Sequence, residues 1–236
     1  MHSYIKIVLM LSLNSFNSLA AEWSSTQISY LSGSQYRLPS DPDKNESYDI
    51  FTFENTLGHS YGDNYMFVDV LGVESEKPNL YMEVGPRFSG AKLFDHKFDK
   101  SIIKDVLLAT QLNISSGNPK VYLYGPAVNL DLPGMQFFTV NLYRRDNLAI
   151  DGSTFQITIV WKANLSDKIW FGGFLDYAGA EGGDSGSKAN LLTQPQFIWN
   201  FNAEFGVGIE YQYWQNKFGI ENLNESLPQA MIKWTL

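Results

Sequence analysis

Residues that could bind a small polar solute recur at every second position in two segments of the chain. The first segment, residues 63–69, carries Tyr65 and Phe67 between two aspartates, and the second, residues 81–87, carries Glu83 between a tyrosine and an arginine. A spacing of two places side chains on one face of a β-strand. Aromatic rings stack on flat rings, whereas carboxylate and guanidinium groups hydrogen-bond to hydroxyls and amide edges. The two segments therefore indicate a polar and aromatic binding surface carried by strands.

The rest of the chain predicts the same kind of element. Alternation with a period of two recurs, most clearly in residues 203–214 and 229–236, and no window keeps a helical apolar period over three turns. Most of the predicted strands have about 8–11 residues, which exceeds the ~5–6 usual in soluble proteins and matches the ~9–11 that cross a membrane at a tilt. We expect about twelve strands, near residues 23–32, 48–56, 63–71, 80–89, 105–114, 120–130, 136–145, 154–162, 168–177, 190–200, 204–214 and 229–236.

The connections between these strands favour a transmembrane barrel. If the first strand starts in the periplasm, short turns fall on one side, at 57–62, 131–135, 163–167 and 201–203, and mostly longer loops fall on the other, at 33–47, 72–79, 146–153, 178–189 and 215–228. That asymmetry is typical of outer-membrane barrels. Residues 90–104 are too long for a turn, and a small helix or plug-like segment at 100–105 is one explanation; residues 115–119 are too short for an outer loop.

The predicted fold class is all-β: a transmembrane antiparallel β-barrel of about 12 strands in meander order. The less apolar face of the strands mixes charges with aromatics and glycines. This mixture suits the lumen of a barrel better than the surface of a soluble protein, where exposed aromatics form apolar patches. Outward aromatics near strand ends fit interfacial girdles. They are Trp161, Tyr177, Trp199, Tyr213 and Trp234. A soluble sandwich or lipocalin-like barrel remains the alternative.

Composition and the N-terminus indicate the compartment. The 236 residues include no cysteine and carry a formal net charge of −8. The missing cysteines exclude a disulfide scaffold and a thiol nucleophile, and the acidic balance argues against a nucleic-acid polymer as partner. Residues 1–20 have a basic start, a 7-residue apolar run and a small-x-small end, the layout of a secretory signal peptide, with a buried helix or strand as the alternative. Residues 21–236 would then form a single barrel domain in a bacterial outer membrane.

Alternation also assigns a set of side chains to the lumen. Apolar residues such as Met66 and Val68 take the lipid side, so their neighbours point inward. The inward set suits a nucleoside, which offers a flat base for stacking and ribose hydroxyls for hydrogen bonds, without a phosphate. The alternative is a structural network in which Glu83 pairs with Arg87, or Asp69 with Arg145. The predicted substrate-binding residues are Glu54, Asp63, Tyr65, Phe67, Asp69, Tyr81, Glu83, Arg87, Phe137, Asn141, Tyr143, Arg145, Trp170 and Asp176.

Enzymatic functions have little support in the residues. After cleavage of the signal peptide only His59 and His96 remain, both in connections, and no metal-ligand spacing, P-loop or dinucleotide fingerprint occurs. Lumen carboxylates could imitate a glycosidase pair, but ion pairing explains them more simply. We therefore expect no catalytic residue, no metal site and no cofactor.

Several stretches of the chain resemble a known family. They are residues 62–69, 81–89, 104–110, 141–145 and 208–219, and they include Pro86-Arg-Phe-Ser89 and Tyr211-Gln-Tyr-Trp-Gln-Asn-Lys-Phe-Gly219. In this order they resemble the nucleoside-specific channel-forming outer-membrane proteins, the Tsx and OmpK-like family, over nearly the whole mature chain. The resemblance implies a monomeric twelve-stranded barrel that passes nucleosides and deoxynucleosides by diffusion. It also implies that some members serve as phage or colicin receptors.

Two features depart from that family. The chain ends in Leu236, where outer-membrane barrels usually end in phenylalanine, and its loops are short, so receptor roles do not carry over directly. The family motif maps onto Asp63, Asp69, Tyr81, Glu83, Arg87, Tyr143 and Arg145. Three alternatives to a nucleoside pore stay open at this point: a surface receptor or adhesin with a plugged lumen, a general small porin, and a soluble periplasmic carrier of a small aromatic ligand.

Overall fold

The described chain is almost entirely β-strand. The computed structural model describes residues 21–72, 78–96, 98, 101–116, 118–183 and 186–236, so the predicted signal peptide lies outside the described residues. The strands are β1 (Trp23–Leu38), β2 (Asp41–His59), β3 (Gly62–Leu71), β4 (Asn79–Ser89), β5 (Ile103–Ser115), β6 (Asn118–Leu130), β7 (Met135–Asn147), β8 (Thr154–Asn164), β9 (Ile169–Ala178), β10 (Asn190–Thr193), β11 (Gln196–Asn200), β12 (Phe205–Gln215) and β13 (Glu225–Thr235).

These strands close into one antiparallel barrel. Consecutive strands pair in meander order, and β1 pairs with β13 to close the ring. The short strands β10 and β11 occupy one position between β9 and β12, interrupted at Gln194 and Pro195 because proline has no N–H for the ladder. The ring therefore has twelve strand positions, which confirms the predicted fold class. We call the end that holds Glu22 and Leu236 the termini end, and the opposite end the loop end.

The two faces of the sheet differ as the alternation predicts. Along β13 the residues alternate without exception between buried and exposed from Glu225 to Trp234. The buried positions face the lumen and include Gln229 at 0% exposure, whereas the outward positions include Ile232 at 54%. At the termini end, outward rings stack in a row from Phe201 through Phe205 to Trp234, with centroids 6.1 and 5.8 Å apart. The barrel thus buries polar groups inside and presents apolar groups outside.

Apolar side chains fill parts of the interior. One cluster lies on β1, β2, β11 and β13, and a second lies on β5, β6 and β7, on the opposite side of the ring. Their members are Leu31, Tyr36, Ile50, Ile198, Leu227 and Met231 in the first, and Leu107, Ala109, Leu123, Ala127 and Tyr143 in the second. The two clusters narrow the lumen and leave polar wall between them.

The predicted loop at residues 33–47 is wrong. There β1 and β2 continue as one long hairpin that turns at Pro39 and Ser40. Residues 41–47 are polar enough to imitate a loop, because a hairpin that extends past its neighbours has no apolar face to bury. Gln35, at φ 95°, coincides with a register shift, and this bulge lets Tyr36 turn inward. The Tyr36 side chain therefore lies inside the barrel at the loop end, where its hydroxyl donates to Gln229.

The expected small helix lies earlier in its connection than predicted. It is α1 (Gly90–Leu93), whereas Ile103 already begins β5. The Ser89 hydroxyl accepts from the Lys92 N–H at 3.0 Å, and the Lys92 ammonium donates to Glu22 at 2.6 Å. These contacts hold α1 at the rim of the termini end, where Phe94 is 80% exposed. Within the described ranges, no helix has the length and apolar character needed to cross a membrane.

Candidate solute-binding lumen

Three neighbouring aromatic rings, with planes tilted by 47° and 54° to one another, form an aromatic surface on the lumen side of β3 and β4. Tyr65 and Phe67 have ring centroids 5.7 Å apart, and Phe67 and Tyr81 are likewise separated by 5.7 Å. All three rings are partly exposed although their strands lie within the closed sheet, so they face space in the lumen. Tyr65 and Phe67 lie on β3, and Tyr81 lies on β4. The antiparallel register sets Phe67 opposite Glu83 and Asp69 opposite Tyr81, so the Tyr81 ring is diagonally across from the Phe67 ring.

Neutral donors surround the Glu83 carboxylate beside this aromatic surface. The Tyr81 hydroxyl donates to it at 2.5 Å, the Gln111 amide at 2.8 Å and the Asn113 amide at 2.9 Å. Gln111 and Asn113 are inward residues of β5 that sequence reasoning missed, although the alternation within residues 105–114 pointed them inward. The arrangement is a polar wall with fixed acceptors and donors next to flat rings.

The ion pairs of the lumen differ from those considered from the sequence. Arg87 forms a two-pronged pair with Asp63, at 2.7 and 2.8 Å, because the two residues are directly opposite in the β3–β4 register. Arg145 pairs at 2.7 Å with Glu181, which lies in the connection after β9, where no strand pattern could locate it. Asp69 instead accepts from the Thr52 hydroxyl at 2.6 Å.

The other predicted residues differ in how far their side chains are exposed to the lumen. Asp176 faces the lumen and accepts from the Thr158 hydroxyl at 2.5 Å. Asn141 and Tyr143 also lie on the inner face but are only 3% and 5% exposed, because Asn141 donates to the Thr158 carbonyl and Tyr143 packs in the second apolar cluster. Phe137 is 42% exposed near the termini end, opposite Lys162, and does not join the aromatic surface of β3 and β4.

Trp170 belongs to a second cluster, which also contains two lysines. The ammonium of Lys162 lies 4.7 Å from the Trp170 ring centroid, and that of Lys233 lies 5.2 Å from it. Glu54, opposite Phe67 in the β2–β3 register, is close enough for its charge to interact with Lys162. This cluster is nearer the termini end, since Trp170 follows directly on the start of β9.

A ladder of polar side chains on β11, β12 and β13 was missed from the sequence. Glu210 accepts from Gln196 at 2.7 Å and from Gln229 at 2.9 Å, and Gln196 in turn accepts from Lys233 at 3.2 Å. Gln229 also accepts from the Tyr36 hydroxyl. The period-two pattern of these strands already separated their two faces. Only the strand pairing of the closed barrel shows that these polar side chains contact one another.

At the loop end a buried ion pair covers part of the lumen mouth. The ammonium of Lys217, in the connection between β12 and β13, lies 2.6 Å from Glu225 and within 6.0 Å of the ring centroids of Tyr36, Trp214 and Phe218. Glu225 also accepts from the Arg37 N–H at 2.7 Å. Burial lowers the pKa of the Lys217 ammonium, against the opposing effect of Glu225.

The charge balance of the lumen is acidic. Among the described residues, and apart from Asp105 at the rim of the termini end, five inward carboxylates have no cation within ion-pair distance, against two such ammonium groups, Lys162 and Lys233. The carboxylates belong to Glu54, Asp69, Glu83, Asp176 and Glu210. In the same part of the chain, no group of three or more acidic or histidine side chains is arranged to hold a metal ion.

Solved structures with a similar fold include two porins. The NanC porin matches with a TM-score of 0.59 and 13% identity, over 91% of this chain and 100% of that one. The KdgM porin matches with a TM-score of 0.54 and 9% identity, over 88% and 98% of the two chains, and KdgM in complex with disordered oligogalacturonate matches with a TM-score of 0.53. No protein-family model and no curated protein sequence matches. At such identities the likeness concerns the fold, and the chain therefore has the closed antiparallel barrel fold that these porins share.

Proposed function

We propose that this protein is a bacterial outer-membrane channel, and that nucleosides and deoxynucleosides diffuse through it, as its resemblance to the Tsx and OmpK-like family implies. The observation that carries the proposal is the surface of Tyr65, Phe67 and Tyr81 beside the hydrogen-bonded Glu83, inside a barrel with a porin fold. We expect the channel to act as a monomer in lipid, as the resemblance implies, and a sheet that closes within one chain needs no second copy to complete the barrel.

The lumen chemistry fits a weakly bound nucleoside. A base stacked on these rings gains about 1–3 kcal/mol, and the carboxylates of Glu83, Asp69 and Asp176 accept hydrogen bonds from ribose hydroxyls. Binding of this strength guides a solute through a pore without trapping it, because conduction needs sites that are easily left.

The acidic balance favours an uncharged solute. KdgM has been crystallised with oligogalacturonate, an acidic oligosaccharide. In the present lumen the unpaired carboxylates outnumber the unpaired ammonium groups of the described residues and repel polyanions. A neutral nucleoside avoids this repulsion and still uses the carboxylates as hydrogen-bond acceptors.

A receptor with a closed lumen is the second candidate. The observation that favours it is the inward Tyr36 of the β1–β2 hairpin together with the buried Lys217–Glu225 pair, which occupy part of the mouth. A surface receptor for a phage or colicin would place its binding site on these outer segments and would not conduct.

Flux and channel block separate these candidates. Purified protein in liposomes should pass adenosine or thymidine faster than a sugar of similar size, and in planar bilayers a nucleoside should block single channels saturably. Equal rates for nucleoside and sugar would contradict selectivity and leave a general porin. Absence of flux together with phage or colicin binding would support the receptor.

A further inference from the structure

We propose that Lys162, Lys233 and Trp170 form a binding site for a small oxyanion, a phosphate or a carboxylate, in the lumen near the termini end. The site goes beyond the proposed nucleoside surface on β3 and β4, because it lies on β8, β9 and β13 and has the opposite charge. It would give an otherwise acidic lumen one local preference for an anion.

The geometry holds two like charges together. Both ammonium groups lie about 5 Å from the same ring centroid, so they are no more than about 10 Å apart, and their charges repel each other. Lys233 is only 7% exposed. The π electrons of the Trp170 ring stabilise each cation, but they do not neutralise either of them.

No carboxylate neutralises the pair directly. Among the described residues, neither ammonium has a carboxylate oxygen within 4.0 Å. Two acidic residues interact with the pair at longer range: Glu54 with Lys162, and Glu210 with Lys233. Glu210 accepts hydrogen bonds from the amides of Gln196 and Gln229. Buried cations are normally paired with an anionic group. Two neighbouring ammonium groups without one therefore indicate a site where an anion binds.

The unused hydrogen-bond donors point in the same direction. A lysine ammonium has three N–H donors. Within the described part of the chain, Lys233 uses one of them on the Gln196 carbonyl, at 3.2 Å, and Lys162 makes no hydrogen bond. The Lys162 ammonium has no hydrogen-bond partner among the described residues, but it is not fully enclosed. It is therefore open to the lumen. An oxyanion bound beside these two groups would supply the missing acceptors and a charge opposite to both.

Phosphate-dependent conductance tests the site. We would record channels of the full protein in planar bilayers at constant ionic strength, with potassium chloride replaced stepwise by potassium phosphate. The wild type should show a saturable fall in conductance, and in the K162Q/K233Q variant the phosphate concentration for half-maximal effect should rise at least about tenfold, since each charge-assisted hydrogen bond contributes on that scale. The matched control is K104Q/K168Q, which removes two exposed lysines from the same end of the barrel and should behave as the wild type.

Equal phosphate sensitivity in the wild type, the variant and the control would overturn the proposal, as would insensitivity of the wild type. Heat-dependent gel mobility checks that each barrel is folded. If K162Q/K233Q does not fold, the single variant K162Q replaces it, because Lys162 makes no hydrogen bond to other described residues. In that variant a threefold or greater loss of phosphate sensitivity is expected, and no loss contradicts the site.

Further solutes identify the kind of oxyanion and keep this proposal separate from the proposed function. Acetate in place of phosphate tests a carboxylate, and a nucleoside 5′-monophosphate tests a phosphate attached to a solute. Block by the uncharged nucleoside should be the same in the wild type and K162Q/K233Q. Loss of phosphate sensitivity with no nucleoside block in any protein would therefore support the anion site and refute the nucleoside channel.

Discussion

Neutral hydrogen-bond donors, rather than a cation, hold the Glu83 carboxylate in the lumen. Tyr81, Gln111 and Asn113 bond to its oxygens, while the nearby Arg87 is engaged by Asp63. The Glu83 oxygens are therefore oriented by hydrogen bonds, without an ion pair to a described residue. Beside it, the rings of Tyr65 and Phe67 offer an apolar surface of the size of a base. At the residue scale, the proposed site consists of flat rings placed next to oriented acceptors.

Removing the rings tests this site. Replacement of both Tyr65 and Phe67 by alanine should weaken nucleoside block of the channel by about tenfold or more, because base stacking contributes about 1–3 kcal/mol per base. Single-channel block by adenosine measures the effect. The control replaces Tyr122 and Tyr124, two outward aromatics of β6 that are 42% and 49% exposed. If the two double variants show the same affinity as the wild type, the nucleoside does not stack on β3.

The buried pair of Lys217 and Glu225 predicts a stability effect. E225Q should lower the free energy of unfolding by about 3–5 kcal/mol, because it leaves the Lys217 ammonium buried without a counter-charge. K217M/E225Q should recover most of that loss, since it removes both charges. Urea unfolding of the barrel in lipid or detergent measures these differences. The comparison is E46Q, which breaks the exposed Lys44–Glu46 pair and should have little effect on stability; an equally small effect of E225Q would contradict the argument.

At the scale of the elements, strand register decides where two backbones come into close contact and which strands extend beyond their neighbours. The β4 and β6 strands each carry an inward glycine, but the space around the two glycines differs. A Cβ at Gly125 would lie 2.0 Å from the Leu142 carbonyl oxygen, whereas one at Gly85 would make ordinary contact at 3.4 Å with the Thr110 carbonyl oxygen. The β1–β2 hairpin shows the other extreme, because residues beyond its neighbours pair only with each other.

The two glycines predict opposite tolerance to alanine. G125A should destabilise the barrel by about 1–3 kcal/mol, since the β7 backbone must move to make room for the methyl group. G85A should be neutral or slightly stabilising, because it fits the space and reduces the entropy of the unfolded chain. Urea unfolding of both variants measures the difference, and similar stabilities would show that β7 adapts at no cost.

The hairpin predicts a change in conductance. Replacing residues 35–46 by an Asn-Gly turn joins Ser34 to Ser47, which are paired in the wild type, and removes Tyr36 from the mouth. Conductance should rise, because Tyr36 and its bond to Gln229 occupy part of the loop end. A variant that only exchanges Pro39-Ser40 for Asn-Gly keeps the hairpin length and should conduct as the wild type. Unchanged conductance after truncation would place the constriction elsewhere.

For the molecule as a whole, the closed sheet explains how a chain of modest polarity can suit a membrane. Every strand pairs on both sides around the ring, so the backbone groups of the sheet are satisfied without water. Apolar side chains cover the outside, and the polar ones gather in a narrow interior, where five carboxylates lack a paired cation among the described residues. Charges in such a confined space act together on any ion that enters.

This charge distribution predicts cation selectivity. In a potassium chloride gradient the reversal potential should indicate that K⁺ permeates better than Cl⁻. E54Q/D69N should move the permeability ratio towards one, because it removes two of the unpaired lumen carboxylates. The control E204Q/D167N removes two exposed carboxylates from turns at the termini end and should have little effect at physiological salt, where screening is strong. A wild-type channel that prefers Cl⁻ would contradict the acidic lumen.

The sequence by itself determined the barrel class and the two faces of its strands. Period-two alternation is a local property of the backbone, so residues such as Tyr65, Glu83 and Asp176 could be assigned to the inner face from their neighbours alone. The same rule reached Gln111 and Glu210, which lay on identified inner faces and were passed over as site residues. The polar stretch at 41–47 was misjudged, because polarity marks a loop only when the segment has no partner strand.

Only the tertiary structure decided which inner side chains meet. Contacts across a barrel depend on strand register and on closure between β1 and β13, which bring together residues far apart in the chain. Arg145 meets Glu181 instead of Asp69, and Lys162 and Lys233 share the ring of Trp170, although nothing in their spacing relates them. Local patterns give a side chain its face, whereas its partners follow from how the whole sheet is sheared and closed.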